Sequence, residues 1–246
     1  MVSVRQFATP EEVVEQAARL VIAAVRARPN LVLGLATGET MRPLHAALVR
    51  DVRENGTSWR GVTAFNLDDY VGVPAAHPAS FRRFMQETLF DHIDISPDRC
   101  HMPDGMAADL EREAAAYEAR IEAAGGIDLQ LLGLGRNGHI AFNEPGSDFA
   151  SRTRPVTLAS TTREAAGGSF AGGEQVPKRG LTMGIASILD ARRILLIACG
   201  RGKARAVADA LAAPARPERP ASALQGHPDT TFLIDREAAA EFSAPG

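Results

Sequence analysis

His139, Asn137 and Glu144 lie within one glycine-studded stretch, GLGRNGHIAFNEPG, residues 133–146. A histidine with a carboxylate and an amide in reach is an acid–base unit: the partner sets the tautomer and tunes the proton affinity. The glycines at 133, 135 and 138 also have the spacing of a dinucleotide-binding loop. That reading fails twice. Pro145 would break the helix such a loop must open, and no acid stands about 20 positions on, near Leu158, to hold a ribose. A lone histidine is commonly structural. This one sits among Gly, Asn and Glu at the end of an apolar run, which favours the functional reading.

Three further segments carry chemistry. Asp68 and Asp69 close the run VTAFNLDDY; a carboxylate at a strand end in apolar surroundings can hold its proton tightly and act as a base. Neighbouring strand residues point to opposite faces, so the two aspartates need not share a role. The bland reading, a helix cap or surface turn, suits Asp69 better than Asp68. ATGET, residues 36–40, places Thr37, Gly38 and Thr40 between an apolar run and a helical one. It is either an anion-binding helix start or simply a capped helix. No Lys-Ser or Lys-Thr pair follows the glycine, so it is not a Walker loop. Lys203, in CGRGKARA, is either a cation aimed at a phosphate or an exposed helix lysine.

Residues 31–36, 62–72, 127–135, 193–200 and 230–235 read as strands. Helical patterns fall at 11–28, 41–55, 79–93, 110–126, 181–192 and 201–213, with a short helix expected after residue 235. Nearly all-apolar strands, each followed by a helix, predict an α/β fold with a parallel sheet covered on both faces. Ligands of such sheets bind at the carboxyl ends of the strands, near a switch in strand order. ATGET, DDY and GRNGHIAFNE all fall there. The Pro-rich 214–222 reads as a loop, and the whole chain, 1–246, as one domain.

The charge balance narrows the partners. A net charge of −3 over 246 residues argues against nucleic acid and leaves room for a small anionic substrate. Cys100 and Cys199 are too far apart for a metal-ligand spacing, and no disulfide framework is implied. No run approaches the ~18 apolar residues of a membrane span and the first residues carry no signal segment. A cytoplasmic location is expected.

Together these segments resemble the glucosamine-6-phosphate deaminase family, also called glucosamine-6-phosphate isomerases. The matching pieces are LGLATGETMRPLHAAL, FNLDDYVGV followed by AHPASFRRFM, LLGLGRNGHIAFNEPGSDFASRTR, VPKRGLTMGIASILDAR and LLIACGRGKARAV. The resemblance implies a Rossmann-like three-layer α/β sandwich with a mostly parallel sheet and no metal or nucleotide cofactor. It implies an enzyme of the hydrolase and isomerase classes that turns an amino-sugar phosphate into a ketose phosphate and ammonia. Asp68 would move a proton from C2 to C1, His139 would open the ring, and Glu144 would hold His139. Asn137 stands where many members carry a second carboxylate. Thr37, Gly38, Glu39, Thr40 and Lys203 would hold the phosphate.

The chain departs from the family at Gly168, where members commonly carry a phosphate-binding arginine. The segment 150–180, with glycines at 167, 168, 172 and 173, is expected to act as a mobile lid. Asp148 and Val156 replace a serine and a lysine usual at an allosteric site, and the chain ends early. The expectation is a non-allosteric monomer or small homo-oligomer. The alternatives are a galactosamine-6-phosphate deaminase, a 6-phosphogluconolactonase using the histidine to activate water, or a sugar-phosphate sensor without catalysis. NEP after GHIAF favours the deaminases.

Overall fold

The structure, a computed structural model, describes residues 2–170, 174–212 and 214–242. In chain order the elements are β1 (Val2–Phe7), α1 (Pro10–Ala27), β2 (Val32–Leu35), α2 (Met41–Asn55), β3 (Thr63–Asn66) and β4 (Asp68–Tyr70). Next come α3 (Phe81–Thr88), β5 (Cys100–His101), α4 (Leu110–Ala123), β6 (Leu129–Gly133), β7 (Arg154–Thr157) and α5 (Ser160–Ala166). The last are β8 (Arg179–Thr182), α6 (Ile185–Leu189), β9 (Ile194–Ala198), α7 (Ala204–Leu211) and β10 (Thr230–Asp235).

Seven strands form one sheet in the order β1-β10-β9-β6-β2-β3-β5, and every pair in it is parallel. The central strands are buried on both faces: every residue of β2, β9 and β10 is buried. Only a sheet flanked by helices on both sides tolerates this. The chain is therefore the expected Rossmann-like three-layer α/β sandwich. After β2 the chain moves outward through β3 and β5, then returns to place β6 on the other side of β2. That reversal opens a crevice between β2 and β6 at their carboxyl ends.

Helix α1 shows why these segments coil. Thr9 caps it by accepting from the Glu12 N–H, Pro10 opens it, and Val13, Ala17, Val21 and Val25 turn inward at helical spacing. Its apolar stripe covers the sheet that the strand periodicity leaves exposed.

A second, three-stranded antiparallel sheet, β4-β8-β7, stands beside the first. It corrects two expectations. The run 62–72 is not one strand. It breaks at Leu67, whose N–H still donates to Leu35 while its carbonyl accepts from Met183, so the chain leaves the parallel ladder and pairs with β8. The expected helix over 181–192 shrinks to Ile185–Leu189. Leu181 and Thr182 belong to β8, and Gly184 passes so close to the Ser151 and Arg152 carbonyls that a Cβ would lie 2.1 and 2.4 Å from their oxygens. Tertiary pairing overrides helix propensity there.

Smaller differences follow the same logic. The edge strand β1 alternates half-buried with exposed residues, a pattern too short to stand out before β10 is in place. Beyond β10 the chain makes turns in place of the expected helix, held by Asp235, which accepts from the Ala238 N–H. Two of the glycines of the expected lid, 172 and 173, lie outside the described residues.

Candidate active site

Four adjacent strands, β9, β6, β2 and β3, deliver the chemistry-bearing segments side by side at the carboxyl edge. Lys203 follows β9, the 135–139 loop follows β6, ATGET follows β2, and Asp68 follows β3.

The loop after β6 closes on itself. The Gly135 N–H donates to the His139 carbonyl at 2.8 Å, and the Gly138 N–H donates to the Gly135 carbonyl at 3.1 Å, with Gly138 at φ +85°. The His139 ring lies flat over Gly135. A Cβ there would sit 2.4, 2.4 and 2.5 Å from Cε1, Nε2 and Cδ2. Glycine at 135 is thus the floor on which the imidazole rests, a role no nucleotide loop requires.

Glu144 is surrounded by donors. Oε2 accepts from Asn137 Nδ2 at 2.8 Å, and Oε1 accepts from the Thr162 hydroxyl at 2.5 Å and the Ala159 N–H at 3.3 Å. His139 Nδ1 lies 3.4 Å from Glu144 Oε2 and 3.5 Å from the Thr162 oxygen. Asn137 closes the circuit by accepting the His139 N–H at 3.2 Å. Burial works to raise the carboxyl pKa, but the bonds from His139, Thr162 and Asn137 and the charge of His139 outweigh it and hold Glu144 at about 2. A permanent carboxylate beside Nδ1 places the ring proton on that nitrogen and leaves Nε2 to exchange a proton with a ligand.

Asp68 has the opposite surroundings. Among the described residues its carboxyl accepts no hydrogen bond, and 6% of the residue remains accessible. Desolvation, then the neighbouring Asp69, push its pKa up to about 8. Asp69, on the other face of β4, is spent on structure. Its Oδ1 accepts the Tyr70 and Phe81 N–H groups at 2.8 and 3.2 Å, which ties down the start of α3. The alternation of the strand thus separates an open carboxyl from a locked one.

The ATGET loop prepares an unoccupied helix start. Thr40 precedes α2 in helical conformation and makes no capping hydrogen bond, and no acid stands in the first turn. Gly38 turns the chain at φ +100°. In the first turn of α2 the Met41 N–H is taken by the Gly38 carbonyl at 2.9 Å and Pro43 has none, which leaves the Arg42 N–H and the Thr37 and Thr40 hydroxyls available to an anion. Glu39 contributes only its backbone: its side chain is 85% exposed and turns away to Arg42. Lys203 ends a 3₁₀ turn before α7 and is half-buried.

All the residues expected from the sequence therefore belong to one edge, with Glu39 reduced to a main-chain part. Thr162 is the residue the sequence reading missed. Its signal was a pair of threonines opening a helix just after a strand, which is indistinguishable from an ordinary cap until Glu144 is placed beside it. Among the described residues, no group of three or more His, Cys, Asp or Glu is arranged to hold a metal ion. No helix among them is long and apolar enough to cross a membrane.

A doubly wound parallel sheet with an acid–base pair and a helix start at its switch point is the arrangement of an enzyme that acts on a small anionic ligand. Residues 6–233 match the family model described as glucosamine-6-phosphate isomerases/6-phosphogluconolactonase, and the chain belongs to that family. A glucosamine-6-phosphate deaminase of Shouchella clausii (strain KSM-K16) is 47% identical over 233 residues, covering 95% of this chain and 94% of that one. The solved structure of a monomeric glucosamine-6-phosphate deaminase superimposes with a TM-score of 0.95 at 44% identity, covering 97% and 99% of the two chains. The 6-phosphogluconolactonase of Trypanosoma brucei shares the fold with a TM-score of 0.78 at 23% identity, covering 99% of each chain.

These likenesses correct one expectation. The hydrolase class falls away, because the relatives at 47% identity are named deaminases and the family description names isomerases. The lactonase resembles this chain at the level of fold alone.

Proposed function

We propose that this protein is a glucosamine-6-phosphate deaminase, which converts the amino-sugar phosphate to a ketose phosphate and releases ammonia. The observation that carries the reading is the pair of carboxyls with opposed surroundings, Asp68 and Glu144, in the segments after β3 and β6, the two strands that flank β2. Aldose–ketose isomerisation needs a base that takes and returns the carbon proton and a second acid–base group at the ring oxygens, which a fixed carboxylate can support.

In this reading His139 Nε2 shuttles the proton between O1 and O5 as the ring opens, while Glu144 stabilises the charged imidazole. Asn137 keeps Glu144 and the His139 backbone in register. Asp68 takes the C2 proton and returns it to C1, which leaves an iminium at C2; water adds there, and the resulting carbinolamine loses ammonia to give the ketose. Thr37, Gly38, Thr40, the Glu39 backbone and Lys203 hold the phosphate, so that orientation contributes to rate. The 150–180 segment serves as a lid over a single domain. Support comes from α5, which supplies Ala159 and Thr162 to Glu144, and from Phe170, whose ring packs edge-on against Tyr70 at 5.5 Å. Asp148 and Val156, in place of a serine and a lysine, support hyperbolic kinetics without sugar-phosphate activation. We further propose a cytoplasmic monomer.

The test is direct. The purified protein is mixed with glucosamine 6-phosphate, galactosamine 6-phosphate and 6-phosphogluconolactone, and ammonia and ketose phosphate are measured. Ammonia from the first substrate in preference to the second is expected. Lactone hydrolysis without ammonia, or binding of the amino sugars without turnover, would overturn the reading.

A further inference from the structure

Two cations meet at the carboxyl edge without a counter-ion. Arg136 stands in the loop after β6 and Lys203 in the turn after β9. Those strands are neighbours, paired Gly133 to Ile197 at their ends, so the two loops leave the sheet side by side. The Arg136 guanidinium lies over the Lys203 turn: a Cβ built on Gly202 would be 3.5 Å from its Nε and 3.9 Å from its Cζ. Burial first, and then the charge of Arg136, lower the Lys203 pKa, in keeping with that proximity. The turn itself is firm, because the Gly200 N–H donates to both Asp235 carboxylate oxygens at 3.0 Å.

Among the described residues neither side chain has a hydrogen-bonding or ion-pair partner. Arg26, Arg28, Arg120, Arg192 and Arg205 show the usual alternative, each seated on a carboxylate. Like charges gathered at one place, one of them half-buried, repel each other in the free protein. They become favourable when an anion bridges them. A phosphate monoester carries nearly two negative charges at neutral pH. It offers a flat pair of oxygens to a guanidinium fork and a third to an ammonium.

We propose that Arg136 is a second phosphate ligand beside Lys203 and that it sets the preference for phosphorylated over free amino sugar. The inference rests on the functional reading above and extends it. Arg136 also adjoins Asn137 and shares its loop with His139. Residues 167 and 168, both glycine, supply no side chain that could hold the phosphate from the lid.

The test compares wild type with Arg136→Met and Arg136→Lys, using glucosamine 6-phosphate, unphosphorylated glucosamine and inorganic phosphate. Loss of a charge-assisted contact predicts a KM for glucosamine 6-phosphate raised about 10- to 100-fold, with kcat within about threefold. The Kd for inorganic phosphate, measured by calorimetry, should rise in parallel. The kcat/KM for glucosamine should stay unchanged, and Arg136→Lys should recover part of the loss. Unchanged KM and phosphate Kd in Arg136→Met would make Arg136 a solvated surface residue and overturn the proposal. Equal loss on both sugars would overturn it too, by assigning Arg136 to loop stability. If the wild type releases no ammonia, the functional reading fails, and the phosphate Kd alone still decides the role of Arg136.

Discussion

Asp68, buried, and Glu144, half-buried, are carboxyls at the same sheet edge, yet their surroundings drive them apart. Glu144 accepts bonds from Asn137, Thr162 and the Ala159 N–H and stays ionised down to about pH 2. Asp68 accepts none among the described residues, has Asp69 next to it, and holds its proton up to about pH 8. The difference is one of both depth and donors: Asp68 is buried and Glu144 half-buried. Burial raises the proton affinity of both, and only Glu144 is given enough hydrogen bonds to reverse it. One region holds a fixed charge, and the other holds its proton into the neutral range.

The largest expected effect comes from removing the carrier. Asp68→Asn should lower kcat by about 10³-fold while raising thermal stability at pH 8. The sign follows from linkage. The folded pKa lies above the unfolded one, so an ionisable Asp68 costs stability progressively as pH rises from about 4 to about 8. The gain in Tm, about 5 °C at pH 8, should vanish below pH 4. Scanning calorimetry at the two pH values checks this. A variant less stable at pH 8 would show that Asp68 is not the proton-holding group.

Breaking the fixed-charge side should cost activity without that gain. Gly135→Ala puts a methyl group into the His139 ring and pushes it off Glu144, with kcat falling about 10²-fold and Tm little changed. Thr162→Val keeps the shape and removes one donor from Glu144. A drop in kcat of about tenfold is expected, accompanied by a Glu144 carboxyl that titrates at higher pH in a carbon-13 NMR titration.

The smallest effect sharpens the comparison from the Asp68 side. In the wild type kcat/KM should rise with pH through about 8, since only the ionised Asp68 accepts a proton. Asp69→Asn retains an Oδ1 acceptor for the Tyr70 and Phe81 N–H groups but removes the like charge. The acid limb should move to lower pH, by on the order of half a pH unit. A limb that does not move would assign the raised affinity of Asp68 to burial alone.

Much of this was legible beforehand, for definable reasons. The strands β2, β6, β9 and β10 are near-continuous apolar runs, and a parallel sheet buried on both faces writes that pattern directly. The second sheet left no such mark. RPVT and RGLT, the strands β7 and β8, carry arginine, proline and glycine and become strands only by pairing with each other and with β4. For the same reason the break at Leu67 and the shortened helix at Ile185 escaped notice.

What the sequence by itself determined is the inventory at the sheet edge: His139, Asn137 and Glu144 in one loop, the aspartate pair, the ATGET turn and Lys203, all at the ends of strands. It also excluded a nucleotide loop, through Pro145 and the missing acid. Only the tertiary structure decided which carboxyl is ionised and which holds its proton near neutral pH. Proton affinity depends on which donors and charges surround a group, and those around Glu144 come in part from Ala159 and Thr162, far along the chain. It likewise decided that Gly135 is the floor beneath His139 and that Arg136 meets Lys203 across two adjacent loops, because strand order, unlike residue order, sets which loops are neighbours.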